Sequence, residues 1–169
     1  MATIRRLDPA DADVIPALTE VLRDVIAGGA SVGFLASDGT TELDDYWRGI
    51  FASLGPALAL WIAEHQGQVV GTVQLAPCQR SNGRHRGDVQ KLLVHRSAQG
   101  RGVATRLMDA VEAHARASGL GLLVLDTHSG SRAEGLYRNR GWLAAGSIPG
   151  FAAVPDGSLI ATTYFYKQL

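Results

Sequence analysis

The segment DVQKLLVHRSAQGRGVATRLMDAVEAHARA, residues 88–117, limits what this chain can fold into more than any other stretch. Its left part is a dense apolar strand. Its right part has the spacing of an amphipathic helix. Between them lie Gly100 and Gly102, with Arg101 in the middle and Arg106 a turn further on. A helix N-terminus presents unpaired backbone N–H groups and a partial positive charge. Glycines just before it let the backbone approach a ligand closely and shape a concave nest of N–H groups. Such a junction binds phosphate, and a pyrophosphate is its natural guest. The expected contacts are Gln99, Gly100, Arg101, Gly102, Val103, Ala104 and Thr105. Ala104 is small enough to leave the first helical turn open, and Arg101 and Arg106 are expected to add charge.

Two familiar phosphate loops do not match. A P-loop requires Gly-Lys-Ser/Thr, which is absent. A Rossmann turn requires a third glycine where Thr105 stands, and it follows its strand at once, whereas His95–Gln99 intervene here. Too little chain follows Asp126 for a second mononucleotide-binding half.

Lysine plus arginine balance aspartate plus glutamate at 16 each, so a dedicated nucleic-acid binder is not expected. The local cluster Arg80, Arg84, Arg86, Lys91, Arg96, Arg101 and Arg106 suits a small polyanion instead. The single cysteine, Cys78, excludes an intrachain disulfide and suggests a reducing, cytoplasmic setting. The N-terminal residues lack the pattern of a signal peptide. The longest apolar run, LGPALALWIA, is too short to span a bilayer, so no membrane partner is expected. The five histidines have no metal-ligand spacing, so no metal is expected. Periodicity gives the order β-α-α-β-β-β-α-β-α-β-β, a mixed α/β (α+β) single domain over residues 1–169. In this reading 9–27 is one helix, Thr40 or Thr41 caps the second, WLAAGSI is a strand, and IPGFAAVPDGS is a loop.

The motif Gln-x-x-Gly-x-Ala (99–104), opening a long helix after a strand and a short loop, resembles the acyl-CoA motif of the GNAT N-acetyltransferase superfamily. GLYRNRGW (135–142) resembles the second signature of that family, a Leu-Tyr helix ending at a Gly-aromatic pair. The element order is also similar to the GNAT fold. GGASVGF, LDTHSGSRAEGLY and IPGFAAVPDGSL are similar to segments of the tabtoxin-resistance subgroup, which acetylates the amine of a toxin. The resemblance implies acetyl-CoA as cofactor, its pyrophosphate on the glycine turn, and a small-molecule primary amine as acceptor. A protein or peptide amine, or a non-catalytic acyl-CoA-binding module, are the alternatives.

Acetyl transfer to an amine requires a neutral amine, a polarised carbonyl and a protonated leaving thiolate. Asp88, at the start of the strand, is the first candidate base, with Gln90, Leu92 and Val94 on its face if the strand is regular. Asp126 ends the next strand and is expected to share that role or bind the substrate ammonium; the bland alternative is a cap for the turn that follows. The resemblance gives Tyr137 the task of protonating the coenzyme sulfur, and gives Leu92, Leu93 and Val94 backbone contacts to the pantetheine arm. Phe34, Tyr46 and Trp47 are expected to overhang the acceptor, with Phe151 and Asp156 on the same side, although core packing is as good a reading for the helix aromatics. Glycines in both loops suggest movable lids. One departure is Gly130, which stands where GNATs often carry an asparagine. The aromatic last strand, TTYFYK, could pair across a homodimer.

Overall fold

A computed structural model describes residues 1–169. Strand β1 (Thr3–Arg6) leads through a 3-10 turn (Pro9–Val14) into α1 (Ile15–Ala27), followed by α2 (Thr40–Ser53). Three strands follow, β2 (Ala59–His65), β3 (Gln68–Pro77) and β4 (Arg86–Val94). Then come α3 (Val103–Ala117), β5 (Leu122–His128), α4 (Arg132–Asn139), β6 (Leu143–Ala153) and β7 (Leu159–Gln168). The expected order of strands and helices is therefore observed.

The seven strands form one mixed sheet in the order β1-β2-β3-β4-β5-β7-β6. All neighbours are antiparallel except β4 and β5. That one parallel pair follows from the α3 crossover between them, since a helical connection returns the chain to the same end of the sheet. Helices α1 and α2 cover one face, over a core that includes Leu18, Leu22, Leu43, Trp47, Leu60 and Ile62. Helices α3 and α4 cover the other, over Val73, Leu75, Leu107, Val111, Leu123 and Phe165.

Four local expectations need correction. The helix expected over 9–27 is split, because Asp8 and Asp11 form a capping box on a 3-10 turn and Pro16 then sits in the first turn of a new α-helix. Gly39, not a threonine, caps α2, and the Thr40 hydroxyl accepts a hydrogen bond from Arg23 instead. The loop expected after Ile148 is strand: β6 runs through Pro149 to Ala153, with a register shift between Ile148 and Ala152. Because β6 is an edge strand, the missing N–H of Pro149 leaves no ladder bond unmade inside the sheet. Finally, β4 is not regular. Leu93 pairs with Thr72 but Gln90 with Gln74, so two residues, Lys91 and Leu92, oppose Val73. This bulge inverts the alternation. Val89 packs in the α3-side core and Leu93 in the α1-side core, so Asp88 and Gln90 do not share a face with Leu92 and Val94.

The two ends of the α3 layer are tied by Glu112, only 4% exposed. Its carboxylate accepts from Lys167 Nζ at 2.8 Å, Trp142 Nε1 at 3.2 Å and Arg140 Nε at 3.3 Å. The α3 helix, the turn after α4 and β7 thus meet on one buried anion.

Candidate active site

The parallel pairing of β4 with β5 is short. It runs from Arg86 with Leu122 to Asp88 with Val124 and goes no further. Beyond it the two strands splay, and a cleft of about 820 Å³ opens between the C-terminal half of β4, α4 and the start of α3. Leu92, Leu93 and Val94 form one wall, and Gln99, Gly100, Gly102, Val103, Ala104 and Thr105 line the end at the α3 N-terminus.

Gly100 and Gly102 both have left-handed backbones, φ 74° and 75°. Gly102 is the N-cap of α3, and no side chain caps the helix there. The first amides of α3 are therefore left for another acceptor. A Cβ at Gly102 would meet nothing within 4 Å, so the protein itself leaves the space above the turn open. The Gln99 side chain donates back to the Val94 carbonyl at 3.2 Å, bridging the ends of the turn.

Asp24, from α1, fixes this turn from behind. Its carboxylate accepts from the Arg96 backbone N–H at 2.7 Å and from Arg96 Nε at 2.9 Å. Burial alone would raise its proton affinity, but the two Arg96 hydrogen bonds and the nearby His95 outweigh it and hold the carboxyl below the ordinary range. A depressed carboxyl contributes stability above the unfolded-state pKa, about 3.9, and loses it as pH falls through the lower folded value. Asp24→Ala is expected to lower unfolding free energy by about 2–3 kcal/mol near pH 7, because it strips two charge-assisted bonds from a buried site. Urea titration at pH 7 and again well below pH 4 measures this, and the difference between wild type and variant should shrink at the lower pH.

Several expectations fall differently. Arg106 does not serve the turn: its guanidinium donates to the Ala2 carbonyl at 2.6 Å. Arg101 is exposed and does not line the cleft. Two arginines do line it: Arg96, which Asp24 holds, and Arg132, from the first turn of α4, whose guanidinium approaches Gly100. The α1–α2 loop adds Gly28, Gly29, Ala30 and Val32. These were not legible as site residues, because only the fold brings that loop and α4 beside the turn. Ser131 follows Gly130 and also lines the cleft, and its buried hydroxyl has no hydrogen-bond partner in the protein.

Asp88 stands at the last β4–β5 pair, where the splay begins. On β5, Leu123 and Leu125 enter the α3-side core, so Asp126 faces the α1–α2 side, as Asp88 does. Partial enclosure raises the Asp126 proton affinity, Lys91 opposes this, and the Asp88 charge raises it again. Tyr164 pairs directly with Asp126 across β5 and β7, and Phe151 packs edge-on against Tyr164 with ring centres 5.8 Å apart. Tyr164 was not legible as a neighbour of Asp126, because register is a property of the assembled sheet. Phe34 and Tyr46 stack edge-to-face at 5.3 Å on the opposite wall. Burial pushes the Tyr46 hydroxyl up to about 12, with a hydrogen bond donated by Gln74 pulling the other way. Tyr137 is 6% exposed, and burial first, then the Asp126 charge, raises its pKa well above the ordinary tyrosine range. It stays protonated at neutral pH.

Two acceptor-side expectations are corrected. Trp47 is wholly enclosed in the α1–α2 core and presents no surface to a ligand; it supports Tyr46 from behind, at 4.9 Å between ring centres. The Asp156 carboxylate is engaged by the Ser158 amide and hydroxyl in the β6–β7 turn, so it organises that turn.

The cleft joins a nest of amides and two arginines at the α3 end to the bulged half of β4. Asp88, Asp126 and Tyr137 do not line it: the two carboxylates lie on the α1–α2 side of the sheet, and Tyr137, expected to touch the cofactor, is packed in the α3-side core against Trp142 and Phe165. The cleft residues fit coenzyme A. Gly100, Gly102, the α3 amides and Arg132 would hold the pyrophosphate, and the unpaired Ser131 hydroxyl would meet a polar group of the arm.

Comparison with known proteins agrees. The model of the acetyltransferase (GNAT) family matches residues 24–142. The chain is 28% identical over 145 residues to an uncharacterized N-acetyltransferase from the hisH-hisA intergenic region of Azospirillum brasilense, covering 85% of each protein. The fold superposes on the ribosomal-protein-alanine N-acetyltransferase of Brucella melitensis with a TM-score of 0.80 at 21% identity, covering 99% of both chains. It superposes on YncA of Salmonella typhimurium, solved with its cofactor acetyl-CoA, with a TM-score of 0.78 at 24% identity, covering 100% of this chain and 94% of that one. The chain belongs to the GNAT family of N-acetyltransferases, whose cofactor is acetyl-CoA.

Proposed function

We propose that this enzyme acetylates the primary amine of a small molecule, with Asp126 as principal base, Asp88 beside it and Tyr137 as the acid. The observation that carries the choice of a small acceptor is the roof of the site. The α1–α2 loop and the end of β6 with its following turn are clasped to each other. Ser31 Oγ donates to the Ala153 carbonyl at 3.0 Å, and the Ala36 amide donates to the Pro155 carbonyl at 2.9 Å. A roof closed by these bonds suits a compact acceptor better than a protein chain, which needs an open groove.

Asp126 takes a proton from the acceptor ammonium. The neutral nitrogen attacks the thioester carbonyl, the N–C bond forms and the C–S bond breaks. Tyr137 gives its proton to the departing sulfur, and its raised proton affinity keeps it in the donor form beforehand. Asp126 is preferred to Asp88 as base because its raised proton affinity brings it nearer to operating pH. The bulge in β4 leaves one residue without a partner on β3, and a backbone amide there suits the carbonyl oxygen as charge develops.

The segments similar to the tabtoxin-resistance subgroup favour a toxin-like or antibiotic-like amine among small acceptors. The lone Cys78 is consistent with work in the cytoplasm, and no helix of the protein is long and apolar enough to cross a membrane. The outer edge of β6 has no partner strand and carries exposed Leu143 and Ile148, which suits pairing with a second copy; sedimentation at micromolar concentration should then report a dimer.

The test is thiol release from acetyl-CoA across small primary amines and N-terminal peptides. Turnover of a small amine with peptides inert is expected. Turnover of peptides alone would overturn the small-acceptor reading.

A further inference from the structure

Lys91 lies at the β4 bulge with φ 49°. The other non-glycine residue with positive φ, Gln66, sits beside Gly67 in the tight turn between β2 and β3, where such a backbone is ordinary. A long side chain in this conformation within a strand is rare, and the bulge re-aims it. It points beneath the α1–α2 loop. Nζ is 5.5 Å from the Tyr46 ring centre and 6.0 Å from that of Phe34. It lies so close to Gly33 that a Cβ there would come within 3.3 Å of it.

The charged groups buried in the fold are directly paired, and Lys91, half-buried, is not. Asp24 holds Arg96, and Glu112 holds Lys167 and Arg140. Lys91 takes part in none of the ion pairs and makes no hydrogen bond to the protein. Enclosure lowers its proton affinity, and the field of Asp126 partly restores it. Aromatic faces alone are weak compensation for a half-buried ammonium, and a methionine would fill the same slot without any charge. The α1–α2 side of the β4–β5 junction therefore has two poles. Lys91 is the positive one, while Asp126 and Asp88 are the negative one.

We infer that Lys91 is a specificity-determining residue that receives an oxyanion on the acceptor, so the preferred acceptor carries a carboxylate or similar group close to its reactive amine. This deepens the N-acetyltransferase reading and rests on it. The acceptor ammonium faces Asp126 and the oxyanion faces Lys91, the arrangement an amino-acid-like zwitterion requires. A polyamine is disfavoured, because its second cation would meet Lys91.

The experiment compares matched acceptors: free amino acids, their primary amides, and the corresponding decarboxylated amines. Each is assayed for thiol release with wild-type enzyme, Lys91→Met and Lys91→Arg, and the acetyl-CoA-induced rise in melting temperature is recorded for each protein. Wild type is expected to favour the carboxylate over its amide by about 30-fold or more in kcat/KM, the order expected when one partner of a buried charge pair is removed. Lys91→Met should lose that preference mainly through a raised KM for the acid, with the acetyl-CoA thermal shift little changed, and Lys91→Arg should restore part of it. Equal use of acid and amide by wild type overturns the proposal even if no variant folds. So does a loss in Lys91→Met that is the same for both acceptors. In those two outcomes acetyl transfer itself still stands. A thermal shift without turnover of any acid overturns the proposal and leaves the cofactor site intact, whereas no shift at all overturns the underlying reading.

Discussion

Asp126→Asn is expected to lower kcat/KM for acetyl transfer by about 100- to 1000-fold, the range for losing a positioned general base. The substitution keeps shape and removes only the ability to accept the proton. Asp126 does not line the cofactor cleft, so the KM for acetyl-CoA should change little. The pH profile carries a second reading. Enclosure, then the Asp88 charge, raises the Asp126 pKa, so the acidic limb of kcat/KM should lie above the usual carboxylate value of about 3.9. Asp88→Asn removes a neighbouring negative charge and should move that limb to lower pH. Lys91→Met removes the opposing cation and should move it higher. If Asp88→Asn instead abolishes the limb and Asp126→Asn leaves it in place, the two carboxylates exchange roles.

Glu112→Ala is expected to lower unfolding free energy by about 3–5 kcal/mol. Burial alone would raise the proton affinity of this carboxyl. The hydrogen bonds from Lys167 and Trp142 and the charge of Arg140 outweigh it and hold the group below its ordinary range. Truncation leaves two cations that are themselves largely enclosed, with side-chain exposures of 13% for Arg140 and 17% for Lys167. The Trp142 indole also loses its acceptor. Glu112→Gln keeps an acceptor for the indole and should lose less. The sign with pH follows from the depressed value. The contribution is complete above the unfolded pKa of about 4.3 and disappears as pH falls through the folded one. Urea denaturation of both variants at neutral pH is the measurement, and a loss below about 1 kcal/mol in Glu112→Ala would mean that the network is slack.

The glycine turn and the order of elements could be read from residues 88–117 and the flanking periodicity because both are local. A left-handed glycine before a helix and an apolar strand before that are written in adjacent residues. The bulge at Lys91 was not legible. It depends on how β4 registers against β3, and without it Asp88 and Leu92 appear to share a face. Arg106 and Arg132 show the same limit from opposite sides. Sequence proximity favoured Arg106, which the fold turns toward the N-terminus, while Arg132 reaches Gly100 only because α4 packs beside the turn. Trp47 and Tyr46 are neighbours in α2, yet one is core and the other is wall, a difference set by helix phase against the sheet. The pairing of Tyr164 with Asp126 needed the register of β5 with β7. The strand end beyond Ile148 was hidden by Pro149 and Gly150, which read as breakers until β6 is seen to be an edge.

The central claim is that the Gly100–Gly102 turn holds the pyrophosphate of acetyl-CoA. Calorimetric titration of acetyl-CoA into wild type, Gly102→Ala and Gly119→Ala tests it most directly. Gly102 and Gly119 have matching backbones, φ 75° and 76°, at opposite ends of α3, and a Cβ at either would meet nothing within 4 Å in the protein. Both variants should therefore bear a similar strain, about 1–2 kcal/mol. Only Gly102→Ala places a methyl group where the pyrophosphate would lie. The account predicts that wild type and Gly119→Ala bind alike and that Gly102→Ala binds at least about tenfold more weakly, a difference of about 1.4 kcal/mol. Equal affinity in all three proteins, or no heat of binding in wild type at millimolar acetyl-CoA, would contradict it.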